Sequence, residues 1–254
     1  MIRAVWVLVV GTVLTFWYTM AVVTRSLVGR LTTCRCEQIA RSWGRGMVWA
    51  SGSTVELEGM EHYDPEAPHI LVSNHVSWFD VFAVCGFLPG HFRFVAKQEL
   101  TRIPLFGRAF RQCEHISIDR SDRGKAIESL AEAGQHIRDQ SLNIVMFAEG
   151  TRSRDGRLQP FKKGAFVLAL EAQVPVQPMA VLGTRAVMPK GSFRVGAGRI
   201  RIRMGPIIGV ANLTHEDRDE LRASTHAAVS RLLEEANGND HAAAAATTRQ
   251  GDAG

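Results

Sequence analysis

A histidine and an aspartate stand five residues apart in the segment Asn74–Asp80, directly after an apolar run. On one continuous helix they would differ by about 140° and would not share a face. They meet if His75 lies on a turn and Asp80 lies in the first turn of the next helix, with Ser77 as its N-cap. The carboxylate would then orient the imidazole and stabilise its protonated form, as a general base for a hydroxyl requires. A turn histidine beside a capping aspartate would explain the pair without any chemistry.

A second group of polar residues follows the apolar run 143–147 and contains Glu149, Gly150, Thr151 and Arg152. Polar residues at the C-terminal ends of strands usually face the ligand side of an α/β sheet. The planar guanidinium of Arg152 matches a phosphate. Glu149 and Thr151 are suited to hydrogen-bonding a polyol or to holding the arginine. A surface turn closed by an ion pair would have the same sequence.

Further candidate residues stand near other predicted element ends. Asp119 and Arg120 follow a short apolar run, and Arg120 would give the same phosphate a second cationic contact, although a solvated ion pair fits equally well. Lys97 and Lys163 are candidate substrate-binding residues as well, although exposed lysines are usually only solvated. The run Val174–Pro178 is typical of a strand entry stiffened by proline, and it is suited to shaping an acyl pocket.

Strand-like apolar runs alternate with helix-like runs around these residues, which predicts an α/β domain with a central mixed sheet flanked by helices. We predict strands over 69–73, 92–96, 115–118, 143–147, 175–182 and 193–204. We predict helices over 77–88, 103–111, 123–139, 164–173 and 214–236. The last helix begins with a capping box made by Thr214 and Asp217.

The N-terminal sequence predicts a membrane-anchoring helical segment. Ala4–Thr24 contains 21 residues without a charge, and a helix of that length spans the hydrocarbon core of roughly 30 Å. A cleaved signal peptide has a shorter apolar region of about 7–15 residues. Five arginines follow between positions 25 and 45 and only Arg3 precedes, so the positive-inside rule places the remaining chain on the cytoplasmic face of the cell membrane. A single span and a hairpin inserted from one side both fit.

Four parts of the chain follow from these patterns. Residues 1–25 form the membrane helix, 26–53 a basic amphipathic segment at the membrane surface, 54–236 the α/β domain and 237–254 a disordered tail. The formal net charge of +5 suits anionic partners such as acidic lipids and phosphorylated substrates. We interpret the four cysteines as free thiols in a reducing compartment and predict no metal site.

Four blocks, in this order and spacing, resemble the glycerolipid acyltransferase family over about residues 53–210. The first family motif, N-H-x-S-x-x-D, is matched by residues 74–80, and the second, an apolar stretch followed by Asp-Arg, by residues 118–120. The third, F-P-E-G-T-R-S, is matched by residues 147–153, except that Ala148 replaces the proline, and the fourth, V-P-[IV]-x-P, by residues 174–178. The replacement of proline predicts a looser turn in the third motif.

The resemblance implies that His75 is the catalytic base, that Asp80 is its partner, and that the third motif and Arg120 bind the acceptor phosphate. It implies transfer of a fatty acyl group from a thioester of coenzyme A or acyl carrier protein to lysophosphatidic acid at a membrane, giving phosphatidic acid without a bound cofactor. The thioester is already activated and Ser77 does not lie in a G-x-S-x-G pattern, so we expect no acyl-enzyme intermediate.

Three other functions stay open. A different lysolipid acceptor, such as a lyso-ornithine lipid, would use the same chemistry. A lipid hydrolase would need an exposed nucleophile, which the sequence does not reveal. A non-catalytic membrane-binding or nucleic-acid-binding module would fit the basic charge but would leave the His-Asp and Glu-Gly-Thr-Arg blocks unexplained. The sequence contains no nucleic-acid-binding motif, and we expect no nucleic-acid partner.

Overall fold

The computed structural model describes residues 2–118, 137 and 142–251, with side chains described as far as Ala236. The described strands are Thr54–Glu58 (β1), Ile70–Ser73 (β2), Phe92–Lys97 (β3), Ile116–Ile118 (β4), Asn143–Phe147 (β5), Val176–Leu182 (β6) and Arg199–Met204 (β7). The described α-helices are Ile2–Leu27 (α1), Thr33–Ser51 (α2), Trp78–Phe87 (α3), Phe106–Gln112 (α4), Gly164–Ala172 (α5), Thr184–Val187 (α6) and Arg218–Gly251 (α7). Short 3₁₀ turns cover Met60–His62, Gln98–Arg102 and His215–Asp217.

The strands form one mixed sheet in the order β1-β7-β6-β2-β5-β3-β4. The five strands from β6 to β4 are mutually parallel, whereas β7 runs antiparallel to β6 and pairs in parallel with β1. The central strand β2 is buried on both faces, as expected for a parallel strand covered by helices on each side. The predicted α/β fold with a central mixed sheet is confirmed.

Most predicted elements lie within a few residues of the observed ones, but several differ. β1 and the short helix α6 were not predicted. The strand predicted over 193–204 begins only at Arg199, and the residues before it include several glycines and the left-handed Gly191 (φ 79°). The helix predicted over 103–111 begins at Phe106, after Pro104. The helix predicted over 123–139 lies outside the described residues apart from position 137.

The sheet brings two of the polar groups to one edge. β2 and β5 are adjacent and parallel, with Ser73 opposite Phe147 at their C-terminal ends. The residues that follow the two strands, starting at Asn74 and Ala148, therefore emerge side by side. This edge is where the ligands of α/β sheets usually bind.

α1 and α2 form a helical hairpin that packs on the domain. The indole N–H of Trp6 donates to the carbonyl of Ala50, and that of Trp43 donates to the hydroxyl of Thr15, each at 3.1 Å. α1 is long and apolar enough to cross a membrane, and 28% of its most apolar 18-residue stretch is buried within the protein. The rest of α1 presents exposed apolar side chains, among them Val5, Leu8, Val9, Val13, Phe16 and Trp17.

α2 packs directly on the domain, whereas the sequence predicted a helix at the membrane surface. A Cβ atom added to Gly44 would lie 2.6 Å from the backbone nitrogen of Gly86, so α2 and α3 are in backbone contact. Arg45 Nε donates to Gly86 O in the last turn of α3 at 2.8 Å, and Arg41 donates to the carbonyls of Leu88 and Gly90 directly after the helix. Helix C-termini have unpaired carbonyls and attract cations, so these arginines stabilise α3.

The expectation of four free cysteines was wrong. Cys36 in α2 and Cys113 after α4 form a disulfide, with Cα atoms 5.7 Å apart. Cys34 and Cys85 are free thiols. The two bonded residues are separated by 77 positions, and only the packing of the helices brings their Cβ atoms together.

The helix predicted over 214–236 begins as expected, because Thr214 and Asp217 form a capping box at its start. α7 continues to Gly251 and so enters the segment 237–254, where a disordered tail is predicted. The alanines at 242–246 have the highest intrinsic helix propensity of any residue type. The division of the chain into four parts stays a prediction.

Candidate active site

The histidine and the aspartate meet in the predicted way. His75 lies on the turn between β2 and α3, and its Nδ1 is 2.7 Å from Oδ2 of Asp80, in the first turn of α3. The same carboxylate oxygen accepts the backbone N–H groups of Val76 at 2.7 Å and Ser77 at 2.9 Å. The Ser77 hydroxyl accepts the N–H of Phe79, which completes the capping box of α3. Asp80 therefore caps the helix and orients the imidazole at the same time.

The second oxygen of Asp80 is bound by a residue that the sequence did not reveal. The Thr184 hydroxyl, directly after β6, donates to Oδ1, and neither residue has any exposed surface. A fully buried carboxylate is costly unless its oxygens are hydrogen-bonded, and here both are. Because Nδ1 of His75 donates to Asp80, Nε2 is left as the ring atom that accepts a proton.

The imidazole is also fixed by contacts on its faces and backbone. Its ring stacks on Phe147, the last residue of β5, with centroids 4.2 Å apart and an interplanar angle of 18°. The N–H of Ser153 donates to the carbonyl of His75 at 2.7 Å. The side chain of His75 is 14% exposed, so the ring is held firmly while remaining accessible to a small group.

Glu149 joins the loops that follow β2 and β5. Its Oε1 accepts the N–H of His75 at 2.6 Å, and its Oε2 accepts the N–H of Gln159 at 3.3 Å. Burial raises the pKa of Glu149 to about 7, a shift that these two hydrogen bonds reduce and that the charges of Asp80 and Asp155 increase. These are the contacts of a residue that positions the turn carrying His75. A direct contact of Glu149 with substrate stays a prediction.

Two sets of hydrogen bonds join the strands at this edge of the sheet. The side chain of Asn74 bridges to β6, since its Nδ2 donates to the carbonyl of Val181 at 2.9 Å and its Oδ1 accepts the N–H of Val181 at 2.8 Å. The N–H of Ala148 donates to the carbonyl of Ser73 at 3.3 Å, a hydrogen bond that a proline could not make. The alanine of the third motif therefore adds a link between β5 and β2 where we predicted a looser turn.

Arg152 lies beside the turn that carries His75. Its guanidinium stacks over the indole of Trp78, with Cζ 4.7 Å from the ring centroid. Burial lowers the pKa of Arg152, and the negative charge of Asp80 offsets only part of this shift. Because one face of the guanidinium rests on the indole, its N–H edge stays suited to an oxyanion.

Lys190 is a further cation at this place, and no sequence pattern pointed to it. Its Nζ donates to Thr151 Oγ1 at 3.2 Å and to the carbonyl of Arg152 at 2.5 Å. Lys190 therefore fixes the loop of the third motif from outside. An ammonium has three N–H donors, and these two contacts account for two of them.

The remaining predicted cations lie in different places. Lys97 lines the same cavity as His75, and its Nζ is 2.5 Å from Oε1 of Glu99. Lys163 does not line this cavity, and its Nζ lies 3.8 Å from Oδ2 of Asp219 on α7. Arg120 lies outside the described residues. The binding roles of these three residues stay predictions.

A cavity of about 580 Å³ extends from His75 between the helical hairpin and the sheet. Its polar end contains His75, with Gly150, Thr151 and Arg152 of the third motif. Its remaining wall is mainly apolar and includes Trp43, Val81, Phe82, Phe94, Phe106 and Phe110. Its size and its few convergent polar groups are those of a small-molecule site.

This chain is similar to known acyltransferases. The family model described as Acyltransferase matches residues 54–182. A 1-acyl-sn-glycerol-3-phosphate acyltransferase of Limnanthes douglasii is 39% identical over 180 residues, which cover 71% of this chain and 63% of the plant protein. The alpha form of that enzyme from Homo sapiens is 36% identical over 166 residues, which cover 65% of this chain and 59% of the human protein. Both matches span less than two thirds of the relative.

A solved structure shares the fold over nearly the whole chain. The crystal structure of the 1-acyl-sn-glycerophosphate (LPA) acyltransferase PlsC from Thermotoga maritima has a TM-score of 0.79 to this chain. The match covers 93% of this chain and 95% of the other, at 26% sequence identity. The likeness therefore includes the N-terminal helices as well as the sheet.

Proposed function

Because this chain belongs to the acyltransferase family, we propose that it transfers a fatty acyl group from a thioester to the free hydroxyl of lysophosphatidic acid, giving phosphatidic acid. One observation carries this proposal. His75 Nδ1 lies 2.7 Å from Asp80 Oδ2 in the wall of an apolar cavity that also contains Arg152. A base for the hydroxyl, a cation for the phosphate and an apolar site for a chain are what this reaction needs. The names of the similar proteins support the same reaction.

His75 acts as the general base. Nε2 takes the proton of the acceptor hydroxyl while the hydroxyl oxygen attacks the thioester carbonyl carbon. The tetrahedral intermediate then collapses, the C–S bond breaks, and the thiolate takes the proton from the imidazolium. Asp80 stabilises the imidazolium between these steps, and a base placed in this way contributes about 10²–10⁴-fold to the rate.

The contacts of Ser77 support direct transfer to the acceptor. Its hydroxyl donates to the carbonyl of Met188 at 2.7 Å and accepts the N–H of Phe79 at 3.1 Å. The O–H group of Ser77 therefore points away from His75, and the serine is poorly suited to attack a thioester. The activated donor, on coenzyme A or on acyl carrier protein, supplies its own leaving group, so we propose that no acyl-enzyme forms and that no resident cofactor takes part.

We further propose that the enzyme works at the cytoplasmic face of the cell membrane. The exposed apolar side chains of α1 support contact with lipid, and the excess of arginine after α1 supports this orientation. The lipid acceptor and the membrane are then reached from the same side of the molecule. No nucleic-acid partner is part of this proposal.

The purified full chain, incubated with labelled acyl-coenzyme A or acyl carrier protein thioester, tests the proposal. Lysophosphatidic acid and a lyso-ornithine lipid are offered separately, with the His75→Ala variant as the control for contaminating activity. We expect labelled phosphatidic acid from the wild type only. Acylation of the ornithine lipid alone would refute lysophosphatidic acid as the acceptor. Release of free fatty acid would instead favour a hydrolase. The absence of any product with either donor would refute the proposal that the chain is an enzyme.

A further inference from the structure

Two apolar cavities adjoin in this protein, and the function proposed above uses only one. The first, of about 580 Å³, contains His75 in its wall. The second, of about 690 Å³, lies between α1, α3 and the segment 188–195. Trp78 and Phe82 form part of the wall of both cavities, so they lie at the partition between the two.

The proposed reaction brings two apolar chains to one point. The donor carries the acyl chain that is transferred, and the acceptor already carries one on another glycerol oxygen. Both chains must approach His75 without overlapping, because the hydroxyl of one molecule attacks the carbonyl of the other. The acceptor chain therefore needs a second apolar site, or it must stay in the bilayer.

The position of the cations indicates which chain belongs to which cavity. Arg152 lines the polar end of the first cavity and stacks on Trp78, which lines both cavities, with Cζ 4.7 Å from the ring centroid. Lys190, which donates to the carbonyl of Arg152, stands two residues after Met188, and Met188 lines the second cavity. A phosphate held by these cations lies beside the partition. A chain on the same glycerol then passes Trp78 and Met188 into the second cavity.

We propose that the second cavity binds the acyl chain that the acceptor already carries, while the first binds the chain of the donor. This inference rests on the proposed function. The second cavity is walled on one side by residues of α1, including Leu8, Gly11 and Thr12, and its rim includes Phe193, which is 90% exposed. A lysolipid beside α1 thus enters from the bilayer, while the donor chain extends towards Phe110 in the first cavity.

Two matched variants test separately which chain each cavity binds. Val195 and Ile39 are both partly buried β-branched residues, and they line the second and the first cavity respectively. We expect Val195→Trp to raise the KM for a long-chain lysophosphatidic acid at least about tenfold, the effect of excluding about two methylene groups. The KM for a short-chain lysophosphatidic acid and for the donor should change less than about twofold. Ile39→Trp should shift donor preference to shorter chains and leave the acceptor KM unchanged.

Two further variants keep the test decisive. Thr12→Trp narrows the second cavity from α1 and should have the same effect as Val195→Trp. If one of the two variants does not fold, the other still tests the proposal. Val9→Trp lies on the exposed part of α1 outside the second cavity and should leave all KM values unchanged. Retained turnover of the short-chain acceptor shows that a variant is folded.

The outcomes distinguish this inference from the proposed function. A wild-type enzyme that does not acylate lysophosphatidic acid refutes the function itself. A wild-type enzyme that does so, with Val195→Trp and Thr12→Trp indifferent to acceptor chain length, refutes only the cavity assignment and leaves the acceptor chain in the bilayer. A changed donor preference in Val195→Trp would exchange the two chains and also overturn the assignment.

Discussion

Replacing Asp80 by asparagine separates the two roles of this carboxylate. An amide oxygen in the place of Oδ2 still accepts the N–H groups of His75, Val76 and Ser77. The amide nitrogen then faces Thr184, whose hydroxyl can accept instead of donate. Asparagine caps helices about as well as aspartate does, so we expect the unfolding free energy to fall by less than about 1 kcal/mol.

The rate should fall because the negative charge beside the imidazolium is lost. A hydrogen bond to a charged group contributes about 1.5–3 kcal/mol, which corresponds to a loss in kcat of about 10- to 150-fold. The orientation of the ring is kept, because the hydrogen bond from Nδ1 remains. The acceptor KM should therefore change little. Initial rates at saturating thioester and the melting temperature measure the two effects separately.

The chain contains a matched control for this variant. Asp217 occupies the equivalent position in the second capping box, where its Oδ2 accepts the N–H of Thr214 at 2.7 Å. Asp217→Asn should affect the melting temperature at most and leave kcat unchanged. If both variants lowered the melting temperature alike and neither changed kcat, Asp80 would be a helix cap without a catalytic role.

Four further perturbations have defined outcomes. His75→Ala should reduce kcat by at least about 10²-fold with the melting temperature and membrane binding kept, because the general base is lost. Deleting residues 1–25 should release the protein from membranes washed at high salt, as measured by sedimentation. Arg152→Ala should mainly raise the KM for lysophosphatidic acid, and Arg152→Lys should restore it only partly, because lysine lacks the bidentate geometry. Burial raises the pKa of Glu149 from an ordinary 4.5 to about 7, so the folded state binds its proton more tightly than the unfolded state does. The wild type should therefore lose stability relative to Glu149→Gln as pH rises from about 5 to 8, as followed by melting temperatures.

Each of these four expectations has a contrary result. More than about a tenth of the wild-type rate in His75→Ala would exclude a general base at this position. A deletion variant that still sediments fully would move the anchor to residues 26–53. A changed donor KM in Arg152→Ala would assign the arginine to the carrier. A melting-temperature difference between Glu149→Gln and wild type that stays constant with pH would mean that the carboxyl titrates normally.

The local parts of this fold and site could be predicted because their signals lie within a few residues. Ser77 and Asp80 are three positions apart, and this spacing alone indicates a capping box that also places the aspartate near His75. The strands before the first and third motifs are short apolar runs. Their parallel pairing follows from the alternation with helices, and it brings His75 and Arg152 to one edge.

The parts that could not be predicted depend on contacts between distant segments. Thr184 lies 104 residues from Asp80, and no local pattern marks a threonine after a strand as a carboxylate partner. Lys190 is 38 residues from Arg152. Arg45 belongs to a basic helix whose sequence fits a membrane surface, and only the packing of α2 on α3 reveals that it caps a helix end. The cysteine pair was misjudged for the same reason.

The backbone contact between Gly44 and Gly86 fixes α2 to α3, and hydrogen bonds from Trp6 and Trp43 fix α1 to α2, so the apolar N-terminal helix and the helix that carries Asp80 form one rigid unit. α3 carries Asp80, whose carboxylate holds His75, so with α1 in the bilayer as proposed, the packing of α1 on α2 and of α2 on α3 sets the height and tilt of the imidazole relative to the lipid surface. A catalytic domain on a flexible tether would meet its lipids in many orientations, and only a small fraction of encounters would be productive. With α1 in the bilayer as proposed, the search for lipid is reduced to diffusion in two dimensions with a fixed orientation. A side chain at either glycine would move the base away from the plane of its substrate without touching the site itself.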